Sequence, residues 1–259
     1  MATGSRDRNV IVYCVNEKDT INFGKSILNL QSFHVDWVRV VSYSPCGNYL
    51  ASGSNDEKVN IYCIDKGNDL FYGKKLITLT NHTNSVISLS YNLTGELLAS
   101  GGIDRTVNIY YSKYEKNQNE KFGKLLFTII GFSDGISSLK FSPRDNILAV
   151  VYYNTIKFYD IYEKSQNNNL NYCEILYANH LSFISCVCFS PCGNLIISCG
   201  CDNKIVINEP LFNFEMENNI KQKAILENIN NKSIRALCFS SKGNYMASGG
   251  DDKTLYLYG

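Results

Sequence analysis

The chain repeats itself. Five segments superpose along its 259 residues: "VRVVSYSPCGNYLASGSNDEKVNIY" from Val38, "VISLSYNLTGELLASGGIDRTVNIY" from Val86, "ISSLKFSPRDNILAVVYYNTIKFYD" from Ile136, "ISCVCFSPCGNLIISCGCDNKIVIN" from Ile184 and "IRALCFSSKGNYMASGGDDKTLYLYG" from Ile234. Their starts lie 48, 50, 48 and 50 residues apart. A repeat of this length is one supersecondary unit that cannot bury its apolar face alone, so successive units must stack on one another. Inside each unit, short β-branched and aromatic runs are separated first by Ser-Pro-x-Gly-Asn chemistry and then by an Asp-containing turn, which predicts strand, turn, strand, turn, strand. A fourth strand follows a polar stretch, as in "KLITLTNH" at 75–82 and "KLLFTIIGF" at 124–132.

Four antiparallel strands at this period are the pattern of a β-propeller blade. The ends add to it. "MATGSRDRNVIVY" aligns with "LASGSNDEKVNIY" from the middle of the second strand onward, with Met1 on the position of Leu50 and Met246, and the last unit stops at "LYLYG". The expectation is an all-β propeller in a single domain over residues 1–259, of about six units near 1–37, 38–85, 86–135, 136–183, 184–233 and 234–259. Its first unit lacks strand one and its last lacks strand four. Two accounts of these ends stand: a fragment of a longer propeller, or an open ring whose first blade is completed by a partner strand. The row of backbone groups that a missing strand leaves unpaired favours the first.

Bulk composition narrows the setting. Lys and Arg number 25 against 24 Asp and Glu, a formal net charge of +1, so no global field attracts nucleic acid or an anionic membrane. The polar start does not have the form of a secretory signal, and the longest apolar run, "LLFTIIGF" at 125–132, is too short to span a bilayer. An intracellular protein, cytoplasmic and/or nuclear, is expected, with its ten cysteines kept as reduced thiols.

With these repeats the chain resembles the WD-repeat β-propellers over nearly all its length. In that family a His before strand one, a Ser in strand two, an Asp in the second turn and a Trp ending strand three form a buried hydrogen-bonded set. The resemblance implies such sets at His34, Ser52 and Asp56, at His82, Ser100 and Asp104, and at His180, Ser198 and Asp202. The final unit keeps Ser248 and Asp252 but has Asn230 at the His position. The family's Trp is replaced by Tyr62, Tyr110 and Asn208, and the closest approach to a Trp-Asp dipeptide is Tyr159-Asp160. The unit starting at Ile136 departs furthest: its second turn is shorter and lacks the Asp, and Phe132 stands where the His belongs, so packing must replace the polar set there.

The residues do not suggest chemistry. All three histidines fall at the same repeat position, which is what a structural role predicts, and none is left over for general-base or metal work. Cys186, Cys188, Cys192, Cys199 and Cys201 are dense, but Cys-x-Cys pairs within strands do not match the C-x₂₋₄-C loops of tetrahedral zinc, and most occupy repeat positions that other units fill with Ser, Val or Ala. Gly53, Gly101, Gly102, Gly200, Gly249 and Gly250 precede tight turns with no Gly-Lys-Ser/Thr after them, and no Ser sits in a nucleophile elbow. No enzyme activity, no cofactor and no metal is expected.

Binding is expected at the loops of one propeller rim, the exposed and variable part of a rigid scaffold. The residue before strand one reads Trp37, Ser85, Gly135, Phe183 and Ser233, and Arg39 pairs with Arg235 at the second strand position. Trp37 is the only Trp in the chain and stands where other units carry Ser or Gly. Either it anchors a partner, as aromatic and Arg side chains do at hot spots, or its ring covers a blade edge. Tyr152 and Tyr153 join the partner-binding candidates on the short turn of the variant blade. The Asn- and Lys-rich inserts "SKYEKNQNEKFGK", "EKSQNNNLNY" and "FEMENNIKQK" are expected to be solvated loops. The leading expectation is a non-catalytic scaffold that binds a protein or peptide within a multiprotein complex, without membrane insertion. The alternatives are an RNA-associated subunit of a ribonucleoprotein, which is less favoured, or an open propeller completed by a partner strand, resembling vesicle-coat and nuclear-pore scaffolds.

Overall fold

A computed structural model describes residues 1–16, 18, 21–68, 70–114, 121–161, 172–175, 179–210, 220–227 and 232–259. The described residues form no helix, and their strands make six antiparallel sheets in chain order. The first comprises β1 (Ala2–Gly4), β2 (Val10–Tyr13) and β3 (Ser26–Leu30). The second holds β4 (Val38–Tyr43), β5 (Tyr49–Ser54), β6 (Val59–Cys63) and β7 (Lys75–Leu79), and the third β8 (Val86–Tyr91), β9 (Leu97–Gly102), β10 (Val107–Tyr111) and β11 (Leu125–Ile129). The fourth is β12 (Ile136–Phe141), β13 (Ile147–Tyr152), β14 (Thr155–Asp160) and β15 (Tyr172–Ile175); the fifth β16 (Ile184–Phe189), β17 (Ile196–Gly200), β18 (Ile205–Pro210) and β19 (Ile220–Leu226). The sixth has β20 (Ile234–Phe239), β21 (Met246–Gly250) and β22 (Leu255–Tyr258). Each strand pairs with the next in sequence, so each sheet is a simple meander. The chain divides into two compact units, Met1–Gly131 with the first three sheets and Phe132–Gly259 with the last three.

Within each unit the cores lie between successive sheets. In the first unit Val10, Val12 and Leu30 pack on Val38, Leu50 and Tyr62, while Ala51, Val59 and Ile61 pack on Val86, Leu89 and Leu98. Leu50 and Ala51 are neighbours in sequence and point to opposite faces, yet both are buried, because β5 is covered on both sides. That is why the middle strands read as unbroken runs of apolar and small residues rather than as alternating ones. In the second unit Ile147, Val151 and Phe158 meet Ile184, Val187 and Phe189, and Ile197 and Ile205 meet Ile234, Leu237 and Met246. The sixth sheet has one face open: Leu255 and Leu257 are 71% and 73% exposed, where the equivalent Val59 and Ile61 are fully buried.

Turn chemistry fixes the register. In the Ser-Pro-Cys-Gly-Asn turn, Ser44 Oγ accepts the Tyr49 N–H at 3.0 Å, and Gly47 takes φ of 75°, a left-handed conformation that costs glycine nothing. The second turn closes where strand two meets strand one. The carbonyls of Trp37, Ser85, Phe183 and Ser233 each accept the N–H of the turn residue of the same sheet, Asn55, Ile103, Cys201 and Asp251, at 2.8–2.9 Å. A Cβ on Gly200 would come 2.5 Å from the Phe183 carbonyl, so this closure requires the absent side chain.

Candidate functional site

The buried polar sets resemble catalytic triads in outline. In the second sheet His34 Nδ1 lies 2.9 Å from Asp56 Oδ2, Nε2 lies 2.7 Å from Ser52 Oγ, and Ser52 Oγ lies 3.1 Å from the Tyr62 hydroxyl. A carboxylate only accepts, so Nδ1 carries the ring proton, Nε2 accepts from Ser52, and Tyr62 donates to Ser52; the network assigns the tautomer. Asp56 also accepts the Val35 and Lys58 N–H groups at 3.0 and 3.1 Å. The two His links recur in the third sheet, His82 to Asp104 at 2.8 Å and to Ser100 at 2.6 Å, and in the fifth, His180 to Asp202 at 3.0 Å and to Ser198 at 2.9 Å.

Electrostatics favour the ionised form of all three carboxyls. Burial pushes Asp56, Asp104 and Asp202 up, but the His N–H and the backbone N–H groups outweigh it, and all three carboxyls stay below the ordinary range. Burial lowers the His34 pKa, with Asp56 opposing in part, so its imidazole is neutral at neutral pH. Ser52 and Ser100 are wholly inaccessible and Ser198 is 1% exposed. Their hydroxyls therefore cannot reach a substrate, and the sets fasten the loop before strand one to the second turn instead of attacking anything.

The fourth sheet dispenses with the set. Phe132, 6% exposed, packs edge-on against Tyr152 and Tyr159, with ring centroids 5.2 and 6.2 Å apart. Tyr152, expected beside Tyr153 among the surface candidates, is thereby corrected to the core: it is 8% exposed because its ring covers Phe132. Tyr153 is 51% exposed and adopts φ of 50° in the short turn. In the sixth sheet Ser248 Oγ is 2.8 Å from the Tyr258 hydroxyl and Asp252 accepts the Thr254 N–H at 3.1 Å, while Asn230 lies outside the described residues.

Near strand one, two features invisible in the linear pattern shape the surface. The first is a bulge repeated in five sheets. The register shifts between Val38 and Val40, Val86 and Ser88, Ile136 and Ser138, Ile184 and Cys186, and Ile234 and Ala236. Arg39 and Arg235 are the extra residues of their bulges, and a bulge re-aims its side chain away from the sheet face. The second is Arg6. Its guanidinium sits 4.3 Å from the Trp37 ring centroid and that of Arg39 sits at 5.3 Å, so the half-buried indole carries two cations. Arg6 belongs to the turn of the preceding sheet, whose Ser5 carbonyl accepts the Val38 N–H at 3.0 Å. In the second unit Phe183 is half-buried, and the Tyr153 carbonyl accepts the Ile184 N–H at 2.7 Å in the equivalent place.

The two arginines differ in what holds them. Arg39 Nε donates to Asn55 Oδ1 at 2.7 Å, a neutral partner. Arg235 donates from Nε and Nη2 to Asp251, at 3.1 and 2.7 Å, and its Nη1 lies 3.8 Å from Cys201 Sγ. Trp37, Arg6 and Arg39 thus come together in the first unit, whereas Arg235 is spoken for by its own sheet.

Three cysteines of the fifth sheet's strands are held as thiols, whereas the Ser190 hydrogen bond lowers the pKa of the exposed Cys192. Burial raises the thiol pKa values of Cys186, Cys188 and Cys199, keeping them protonated, the reverse of what a thiolate ligand needs. Among the described residues no group of three or more His, Cys, Asp or Glu is arranged to hold a metal ion, no disulfide links the cysteines, and no helix is long and apolar enough to cross a membrane. An open polar depression in the second unit is lined by Arg144, Asp145, Gly193, Asn194, Glu209 and Pro210, with Arg144 donating to Asn194 at 2.7 Å. Of the three Asn- and Lys-rich inserts, residues 115–120, 163–171 and 214–219 lie outside the described residues.

The profile of the family described as "WD domain, G-beta repeat" matches residues 24–63, 73–110, 123–160, 171–207 and 222–259. Each matched segment takes in the last strand of one sheet and the first three of the next, so the sequence repeat and the sheet are staggered by one strand. No curated protein matches the chain. Repeats of this family generally mediate protein–protein interaction, and the domains they build are typically non-catalytic scaffolds. With the matched segments covering more than half of it, and six antiparallel sheets behind them, the chain belongs to the WD domain, G-beta repeat family and has its all-β propeller fold.

Proposed function

We propose that the chain is a non-catalytic scaffold that binds a protein or peptide at the loop edge leading into strand one, with Trp37 and Arg39 as the anchors in the first unit. The observation that carries this reading is the placement of the sole Trp. The equivalent positions hold Ser85, Gly135 and Ser233, so packing of a sheet does not demand an indole there, and Trp37 remains half-buried rather than sealed. A half-buried aromatic beside re-aimed arginines is the composition of an interface hot spot. Phe183, Arg235 and Tyr153 are the corresponding candidates of the second unit, of which Arg235 is the weakest because Asp251 already pairs with it. A preformed surface on paired strands loses little freedom on binding, which favours affinity from a few anchors. The partner works in a multiprotein complex inside the cell, in cytoplasm or nucleus.

The test is affinity capture from native lysate with quantitative mass spectrometry, with and without RNase, comparing the wild type with folded Trp37→Ala and Phe183→Ala variants. Loss of a specific protein with Trp37→Ala supports the reading. Capture unchanged by both variants overturns the assignment of the surface, and capture that vanishes with RNase makes RNA the ligand.

A further inference from the structure

Arg39 and Arg235 occupy the same bulge position in their sheets but meet different partners. Arg235 faces Asp251, which contacts it through both carboxylate oxygens and cancels its charge. Arg39 faces Asn55, which stands at the position of Asp251 and orients the guanidinium at 2.7 Å through Nε without neutralising it. Among the described residues neither Arg39 nor Arg6 forms an ion pair. Both guanidiniums lie over the Trp37 ring, at 5.3 and 4.3 Å. A guanidinium stacked on an aromatic keeps its in-plane N–H groups available for a carboxylate and has already lost part of its rotamer freedom.

From this difference we propose that Arg6, Trp37 and Arg39 form a binding site for an acidic peptide segment, two carboxylate side chains of which each take one guanidinium fork. The proposal rests on the protein-binding reading above and names the chemistry of its partner. A carboxylate meets each fork in the bidentate geometry that charge-assisted pairs favour. Nucleic acid fits less well: an indole that already carries two guanidiniums is a support for cations rather than a platform on which a base can stack.

The sole Trp is also the reporter. Trp37 fluorescence is titrated at low salt with a decaglutamate peptide, a decaglutamine peptide and an oligouridylate of ten nucleotides. The expected result is a saturable change with decaglutamate only, weakened by added salt. Arg6→Gln and Arg39→Gln should each weaken it at least about tenfold, a change of about 1.4 kcal/mol, while Lys242→Gln, at an exposed cation of the second unit, leaves it unchanged. Asn55→Asp retains every arginine and supplies an internal carboxylate in the manner of Asp251, and it too should weaken binding at least about tenfold. Absence of saturation by decaglutamate, full binding by Arg39→Gln or Asn55→Asp, or tighter binding of oligouridylate overturns the proposal. If decaglutamate fails while capture of a protein still depends on Trp37, the acidic class alone falls; if capture is also indifferent to Trp37, the protein-binding reading falls with it.

Discussion

The third and fourth sheets solve one problem with opposite chemistry. Each must fix the loop that enters strand one against the turn between strands two and three. The third uses an imidazole that bridges a carboxylate at 2.8 Å and a hydroxyl at 2.6 Å. The fourth uses Phe132 packed on Tyr152 and Tyr159. The polar solution is directional: it requires a turn long enough to bring Asp104 under both His82 and the Thr83 N–H. The aromatic solution asks only for volume and edge-to-face packing, and it goes with the shorter turn that has no Asp. A blade's shape is therefore set by its strands and bulges, and the fastening can be exchanged if its neighbours change with it.

The contrast between the two sheets can be broken from either side. Phe132→Ala removes the whole aromatic plug and should cost about 3–5 kcal/mol, read as a fall in the urea midpoint. Asp104→Ala leaves the His82, Thr83 and Thr106 N–H groups without their acceptor in a half-dry site, and about 2–4 kcal/mol is expected. Phe132→His carries the polar element into a turn that has no carboxylate to receive it. An imidazole placed between two tyrosine rings should cost about 1–3 kcal/mol, which would show that the set works only as a whole.

Acid separates the two chemistries without mutation. His34 takes up its proton in the unfolded chain near its ordinary value of about 6.5 but only at lower pH in the fold. Its contribution is therefore intact above that value and is lost as pH falls below it. The carboxyls of Asp56, Asp104 and Asp202 also have lowered pKa values, so their contribution is present above about 4 and is lost as pH drops through the folded values. Both trends have the same sign. Urea midpoints should decline below about pH 6.5 and more steeply below about pH 4, while amide exchange in β13 and β14 of the aromatic sheet, corrected for intrinsic rate, should change least. The smallest effect belongs to Arg235→Gln: its pair with Asp251 is about half exposed on both sides, 53% and 45%, and its loss should shift stability by less than about 1 kcal/mol.

How much of this the sequence carries depends on whether a feature repeats. Strand order, the two turn types and the His, Ser and Asp positions recur at a fixed period, and the strands follow from their β-branched and aromatic runs. Phe132 at a His position already points to packing. Tyr152 is misplaced by sequence reasoning because alternation sets only the face of a strand, and in a sheet covered on both sides either face is core. The bulges at Arg39 and Arg235 leave no compositional mark, since Ile87, Ser137 and Ser185 fill the same place in other sheets. Arg6 escapes for a different reason. Its contact with Trp37 joins the turn of one sheet to the entry of the next, and no repeat-by-repeat alignment displays that neighbour. The contrast between Asn55 and Asp251 is visible as letters, but its meaning depends on the bulge that turns each arginine toward it.

In the proposed reading fastening and binding are separate: the polar and aromatic plugs hold the blades, and Trp37 holds a partner. The most direct measurement is made on a single preparation of Trp37→Ala, its urea midpoint compared with the wild type and its capture of partner protein quantified in parallel. A midpoint changed by less than about 1 kcal/mol in stability, as for surface substitutions generally, is expected together with loss of the specific partner. A large fall in the midpoint with capture preserved in the remaining folded protein would contradict it, making Trp37 one more piece of the fold.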